Sequence, residues 1–193
     1  MQINPATHLI DEADYIPSPN MDDRPEGADI NLLVIHSISL PPGEYGGDYI
    51  AQLFTNSLQA NAHPYFQQIH QLEVSAHVLI KRDGRIIQFV PFDKRAWHAG
   101  KSCYQGNECC NDFSIGIELE GTDTDPFESK QYESLVELVK CLCQHYPSIT
   151  PSSSLSRTMM CGVFLISISV PAYLPYTTTL PFLTAGLTRS PLS

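Results

Sequence analysis

The chain is expected to fold as a single α/β (α+β) domain, a mixed central β-sheet flanked by helices. Three stretches predict this: an apolar run at residues 31–36, a hairpin signature across 76–90, and an alternating strand at 113–120 followed by an amphipathic helix. Asn31-Leu32-Leu33-Val34-Ile35-His36 is closed by a histidine and then by the breaker Leu40-Pro41-Pro42-Gly43, so it reads as a central buried strand opening into a loop. Asp48 to Phe54 places apolar residues at helical spacing behind an acidic start, which predicts a short helix.

Residues 76–82 and 85–90 flank Asp83-Gly84, the chemistry of a two-residue hairpin turn in which glycine takes a positive φ. From Phe113 to Glu120 the pattern puts Ile115, Ile117 and Leu119 on one face and Gly116, Glu118 and Glu120 on the other. Between Ser129 and Tyr146, Tyr132, Leu135, Val136, Val139, Leu142, Cys143 and Tyr146 fall on one helical stripe.

A chain of 193 residues buries roughly 70% of its unfolded surface, so no disulfide or metal is needed merely to hold a core. Lys and Arg number 11 against 21 Asp and Glu, a formal net charge of -10, and counterion release then works against nucleic acid as a partner. The first fifteen residues carry no basic segment and no apolar segment of a secretory signal, so a cytoplasmic location is expected. There Cys103, Cys109, Cys110, Cys141, Cys143 and Cys161 should stay thiols, since none of them forms a CxxC pair. The apolar run Met159 to Val170 is shorter than the roughly 20 residues that span a bilayer, so no membrane partner is expected. It reads as a buried strand or as an unfolded, aggregation-prone segment. Nothing in the first 150 residues suggests a large apolar interface, and a monomer is expected.

Composition changes abruptly after Thr150. All 21 acidic residues and all seven histidines precede it, and residues 151–193 are rich in Ser, Thr and Pro with Arg157 and Arg189 as the only charges. The chain therefore divides into a domain over 1–150 and an anomalous tail over 151–193.

Within the first part, His36 is an imidazole delivered by a buried strand to a rim, suited to a metal ligand or a general base, or to a strand-end bond with a loop carbonyl. Glu118 is a carboxylate beside a glycine that leaves room for a ligand or water; the alternative is a solvated sheet face shared with Glu120. Trp97 and His98 sit in a small-residue loop, where an indole serves as a stacking surface or as a lid on the core. His77 reads as structural. The polar loop from Gly106 to Asp112, with Asn111, could read amides and carboxylates or simply connect elements. Together these residues suggest metal-assisted hydrolysis and leave the substrate open.

The strings PSPNMDDRP, VIHSISLPPGEYGG, AHPYF, VSAHVLIKRDGRIIQFVPFDKRAWHAG and CNDFSIGIELEGTD resemble the AmpD-type 1,6-anhydro-N-acetylmuramyl-L-alanine amidases across about residues 15 to 150. These are type 2 N-acetylmuramoyl-L-alanine amidases, related in fold to peptidoglycan recognition proteins. The resemblance implies a cytoplasmic zinc hydrolase of bacterial peptidoglycan recycling that cleaves the lactyl to L-alanine amide of anhydromuropeptides. Carried over position by position, His36 matches the family's first zinc ligand and Glu118 its catalytic acid, while Trp97 and Asn111 are similar to residues of the substrate cleft.

The pattern departs after Thr150, where the family supplies a second His, a Lys and an Asp; residues 151–193 hold no His, Asp, Glu or Lys. Cys161 adds one soft donor, which leaves the ligand count short of three. Read literally, the chain is a zinc-poor remnant that at most binds muropeptides; read as a shifted frame, it is an amidase with a displaced C-terminus. Translating the coding DNA beyond codon 150 in all three frames tests this, and a His followed by Lys and Asp is expected in another frame. Finding none would make the tail native.

Overall fold

The computed structural model describes residues 1–122, 124–149, 157–160 and 163–166. In chain order the elements are β1 (Asp14–Tyr15), β2 (Met21–Asp23), β3 (Leu32–Ile38), α1 (Tyr49–Phe54), α2 (Phe66–Ile69), β4 (Val78–Ile80) and β5 (Ile86–Gln88). There follow β6 (Lys94–Ala96), β7 (Cys103–Tyr104), β8 (Asn107–Glu108), a 3-10 turn (Cys110–Asp112), β9 (Ser114–Glu120), α3 (Ser129–His145), β10 (Arg157–Met160) and β11 (Val163–Ile166). Thr150, Cys161 and the residues beyond 166 lie outside the described part.

Five strands form a mixed sheet in the order β1-β5-β4-β9-β3. Strand β9 runs parallel to both β3 and β4, while β4 and β5 are antiparallel. The expected mixed sheet is therefore present, with one change of place: β3 is an end strand of the five rather than a central one. It is buried nonetheless, because its two faces are covered by different layers and β11 runs beside it. Strands β10 and β11 form an antiparallel hairpin, in the stretch where the sequence admitted either a strand or an unfolded segment.

On one face of the sheet, Leu33, Ile35, Val78, Ile80, Ile115, Ile117 and Leu119 pack against Leu135, Leu138, Val139 and Leu142 of α3. Burying each such side chain stabilises the fold by about 1.5–3 kcal/mol. The helix is rotated from its expected stripe: Val136 is 37% exposed, whereas Leu138 is fully buried. Gln131 explains the rotation. It faces the sheet end, where its Nε2 donates to the carbonyls of Ile80 and Glu120, and its Oε1 accepts from the Glu128 backbone in a reciprocal cap.

The opposite face is covered in two parts, Leu79, Ile87 and Phe89 by α1 and α2, and Leu32 and Val34 by Ala99 and Cys110. Between these two parts the sheet face is occupied by polar side chains.

The β4–β5 hairpin differs in its turn from the two-residue expectation. Lys81 N donates to Arg85 O and Gly84 N to Lys81 O, so Arg82, Asp83 and Gly84 form a three-residue loop with Gly84 at φ +85. A Cβ at Gly84 would also lie 2.9 Å from the Lys130 carbonyl of α3. Both the turn and the docking of α3 therefore need glycine there. Gly84→Ala should lower stability by roughly 1–3 kcal/mol, read as a drop in the urea midpoint; an unchanged midpoint would contradict this account of the turn.

Candidate functional site

Parallel pairing of β3 with β9 sets Val34 opposite Gly116 and His36 opposite Glu118. Because side chains alternate along each strand, these four share the sheet face away from α3. His36 is 6% and Glu118 8% exposed, so the solvated-face alternative for Glu118 is excluded. Glu120, on the same face, is 1% exposed and plays another part: its carboxylate accepts from Gly46 N and Arg82 N, with the Lys81 ammonium 3.5 Å away. Lys81 in turn donates to Gly47 O at 2.6 Å, so this pair anchors the loop that follows β3.

Glu118 has no such satisfaction. Among the described residues its Oε2 is buried without a hydrogen-bond partner, and burial pushes its pKa up to about 8. A carboxyl held this way is protonated at neutral pH and can both give and take a proton. Burial also lowers the His36 pKa to about 4, so the ring is neutral.

His98, which the sequence marks only as the neighbour of Trp97, places its Nδ1 3.0 Å from His36 Nε2. Its Nε2 is 3.2 Å from Ser114 Oγ, and burial, with His36 next, holds its pKa well below the ordinary imidazole value. The ring occupies the space that Gly116 leaves: a Cβ at 116 would come 2.4 Å from His98 Cγ. The sequence signal was present in the alternation, which marked Gly116 as a gap, but nothing in it told which side chain fills the gap.

Asn111 and Trp97 are half-buried. Asn111 Oδ1 accepts from the backbone N–H of His98 and of Ala99, which clamps the loop carrying His98. Trp97 Nε1 donates to Asp22 Oδ1 at 3.2 Å, and the Trp97 N–H donates to Ser75 Oγ. The expected polar loop from Gly106 is partly ordered structure, the β7–β8 pair running into the 3-10 turn.

Beneath the site lies a clasp made from the PSPNMDDRP string. The partly buried Arg24 donates to the carbonyls of Asn111, Asp112, Phe92 and Ser114, and desolvation lowers its pKa to about 10, so it stays charged at neutral pH. Arg95 grips Asp22 with two nitrogens and Asp112 with a third. His77 is structural, as expected: its Nδ1 accepts from Gly116 N and its Nε2 faces the Lys94 carbonyl. With Nδ1 accepting, Nε2 carries the proton, so the Arg24 nitrogen 3.1 Å from it is a neighbour rather than a hydrogen-bond partner.

The described residues by themselves do not fit a catalytic zinc. Such an ion takes three protein ligands, and among the described residues no three His, Cys, Asp or Glu side chains converge on one point. The described cysteines form no disulfide with one another, and no helix among the described residues is long and apolar enough to cross a membrane. A separate surface cleft of about 500 Å³ lies between β1, β5 and α1, lined by Asp14, Tyr15, Asp48, Gln52 and Arg85. None of the residues around His36 and Glu118 lines it.

A family profile described as N-acetylmuramoyl-L-alanine amidase matches residues 26–163. The chain belongs to that family. This amidase is 59% identical over 138 residues to the 1,6-anhydro-N-acetylmuramyl-L-alanine amidase AmpD of Citrobacter freundii, covering 72% of this chain and 74% of the relative. To the AmpD of Escherichia coli K12 it is 58% identical over 134 residues, 69% and 73% of the two chains. A crystal structure of a selenomethionine AmpD derivative superimposes with a TM-score of 0.75 at 56% identity, covering 77% of this chain and 82% of that one. The amidase is thus of the AmpD type, a hydrolase acting on anhydromuramyl-L-alanine amides.

The two sets of buried groups tilt stability in opposite directions with pH. Glu118 binds its proton more tightly folded than unfolded, so its contribution is complete below the ordinary value of 4.5 and is lost as pH rises toward about 8. His36 and His77, with folded values of about 4 and about 3, contribute above the ordinary 6.5 and lose it as pH falls below. Glu118→Gln should remove the alkaline slope alone. Urea melts of parent and variant between pH 4.5 and 8 check this; parallel curves would mean that Glu118 is not held protonated.

Proposed function

We propose that this amidase cleaves the lactyl to L-alanine amide of 1,6-anhydro-N-acetylmuramyl peptides in cytoplasmic peptidoglycan recycling, with His36, Glu118, Trp97 and Asn111 as its working residues. The observation that carries the reading is the buried Oε2 of Glu118, without a partner among the described residues and on the same rung as His36 near the C-terminal ends of parallel strands. Identity of 58–59% to enzymes named for this substrate supports it.

In the reaction Glu118 handles protons. As the carboxylate it takes a proton from the attacking water, and as the acid it returns one to the departing L-alanine amine, a pair of roles that a pKa near neutrality serves in both directions. Burial around it excludes competing solvent, and the partly exposed Trp97 offers a flat face against which a sugar ring can pack. Asn111, whose carbonyl is spent on the backbone of residues 98 and 99, shapes the cleft wall and retains an amide nitrogen for substrate.

The family resemblance also implies zinc, which at such a site would polarise the amide carbonyl. His36 is the sole position of this chain that matches the family's ligand pattern, and residues 151–193 hold no His, Asp or Glu. No step of the reaction is therefore assigned to a metal.

The test is release of free stem peptide from a purified anhydromuropeptide by the full chain, assayed with and without added zinc. Hydrolysis that falls by at least about 100-fold in Glu118→Gln is the expected result. Binding of the muropeptide with no turnover under either condition would overturn the amidase reading in favour of a muropeptide-binding module.

A further inference from the structure

Two neutral imidazoles in contact share a single proton between their facing nitrogens, and which ring donates is decided by what the far nitrogen of each ring touches. Ser114 Oγ lies 2.5 Å from the Cys110 carbonyl oxygen. A carbonyl only accepts, so the one hydroxyl proton of Ser114 is committed to Cys110, and Oγ offers His98 lone pairs alone. His98 Nε2, 3.2 Å from Oγ, must then carry the proton. That leaves His98 Nδ1 as an acceptor, and His36 Nε2, 3.0 Å away, as the donor to it.

We infer that His98 and Ser114 form a positioning relay that sets the tautomer of His36, protonated at Nε2 and basic at Nδ1. Nδ1 is then the ring nitrogen of His36 that presents a lone pair. The relay runs from a backbone carbonyl through a hydroxyl and one ring to the next, so its direction is fixed by the carbonyl's inability to donate.

Its parts are held from several sides. Asn111 Oδ1 clamps the backbone on both sides of the His98 peptide link to Ala99, Gly116 leaves the space that the ring fills, and Arg24 fixes the Ser114 carbonyl. Ser114 itself is fully buried, which keeps water from competing for its hydroxyl. His98 is accordingly a positioning residue, acting through His36 and not on substrate.

The inference deepens the proposed amidase reading by naming what orients its histidine, and it rests on that reading only for its use in catalysis. The tautomer can be read without substrate, so failure of one is distinguishable from failure of the other. Long-range 1H–15N correlation spectra of the full chain with ring-labelled histidine, at neutral pH, should show His36 and His98 each as a single form with Nδ1 unprotonated.

Replacing the acceptor by His98→Phe should turn the His36 signal into a mixture of forms, whereas His98→Asn, whose Oδ1 falls near the position of Nδ1, should restore the single form. Ser114→Ala should likewise give a mixture, and this smaller change decides the matter if the phenylalanine variant does not fold. A parent spectrum with His36 protonated at Nδ1, or folded variants that all keep the parent tautomer, would overturn the inference.

Discussion

The site depends on the parallel register of β3 and β9. That pairing places His36 beside Glu118 and Val34 beside Gly116, and a slip by one residue would turn the histidine or the glutamate toward α3. The register is locked by the opposite face of the same strands, where Leu33, Ile35, Ile115, Ile117 and Leu119 meet the α3 stripe. Apolar packing on one side of the sheet therefore specifies polar geometry on the other. Gln131 ties the two together, since it bonds the carbonyls of Ile80 and Glu120 from the helix that covers the apolar face.

Desolvation then sets the chemistry. Among the described residues no full opposite charge faces Glu118, His36, His77 or His98, and desolvation pushes each toward its neutral form. The cations of this region are occupied elsewhere: Arg24 with four carbonyls, Arg95 with Asp22 and Asp112, and Lys81 with Glu120 and Gly47. Glu120 shows the contrast. Hydrogen bonds from the Gly46 and Arg82 N–H groups and the nearby Lys81 ammonium make it structural, while Glu118 two residues earlier has an oxygen with no partner among the described residues.

His36 and Glu118 were legible in the sequence because both follow from local pattern, an apolar run that ends in a histidine and an alternation that isolates a carboxylate. Which of the two acids on that face is satisfied was not legible, since the partners of Glu120 come from residues 46, 81 and 82. His98 was hidden for the same reason: its contact with His36 needs the gap at Gly116 and the clamp from Asn111, both long-range. The rotation that buries Leu138 and exposes Val136 comes from Gln131, a polar residue that a hydrophobic stripe does not count. Asp83-Gly84 named the turn correctly and its length incorrectly, because the docking of Lys130 on Gly84 is a tertiary contact. The position of β3 at an end of the five-stranded sheet is likewise a matter of topology, which apolarity alone does not reveal.

The family and the donor set of this chain pull apart at Thr150. The family match runs over residues 26–163, yet beyond Thr150 the sequence offers no residue that could complete a zinc site with His36 apart from Cys161. A muropeptide should lie with its scissile amide over the β3 and β9 strand ends. A crystal structure of Glu118→Gln with bound anhydromuropeptide tests this directly. The account predicts the lactyl to L-alanine amide within hydrogen-bond reach of residue 118 and the sugar against Trp97. A ligand seated instead in the cleft lined by Asp14, Asp48 and Arg85, or an empty β3–β9 face at saturating ligand, would contradict it.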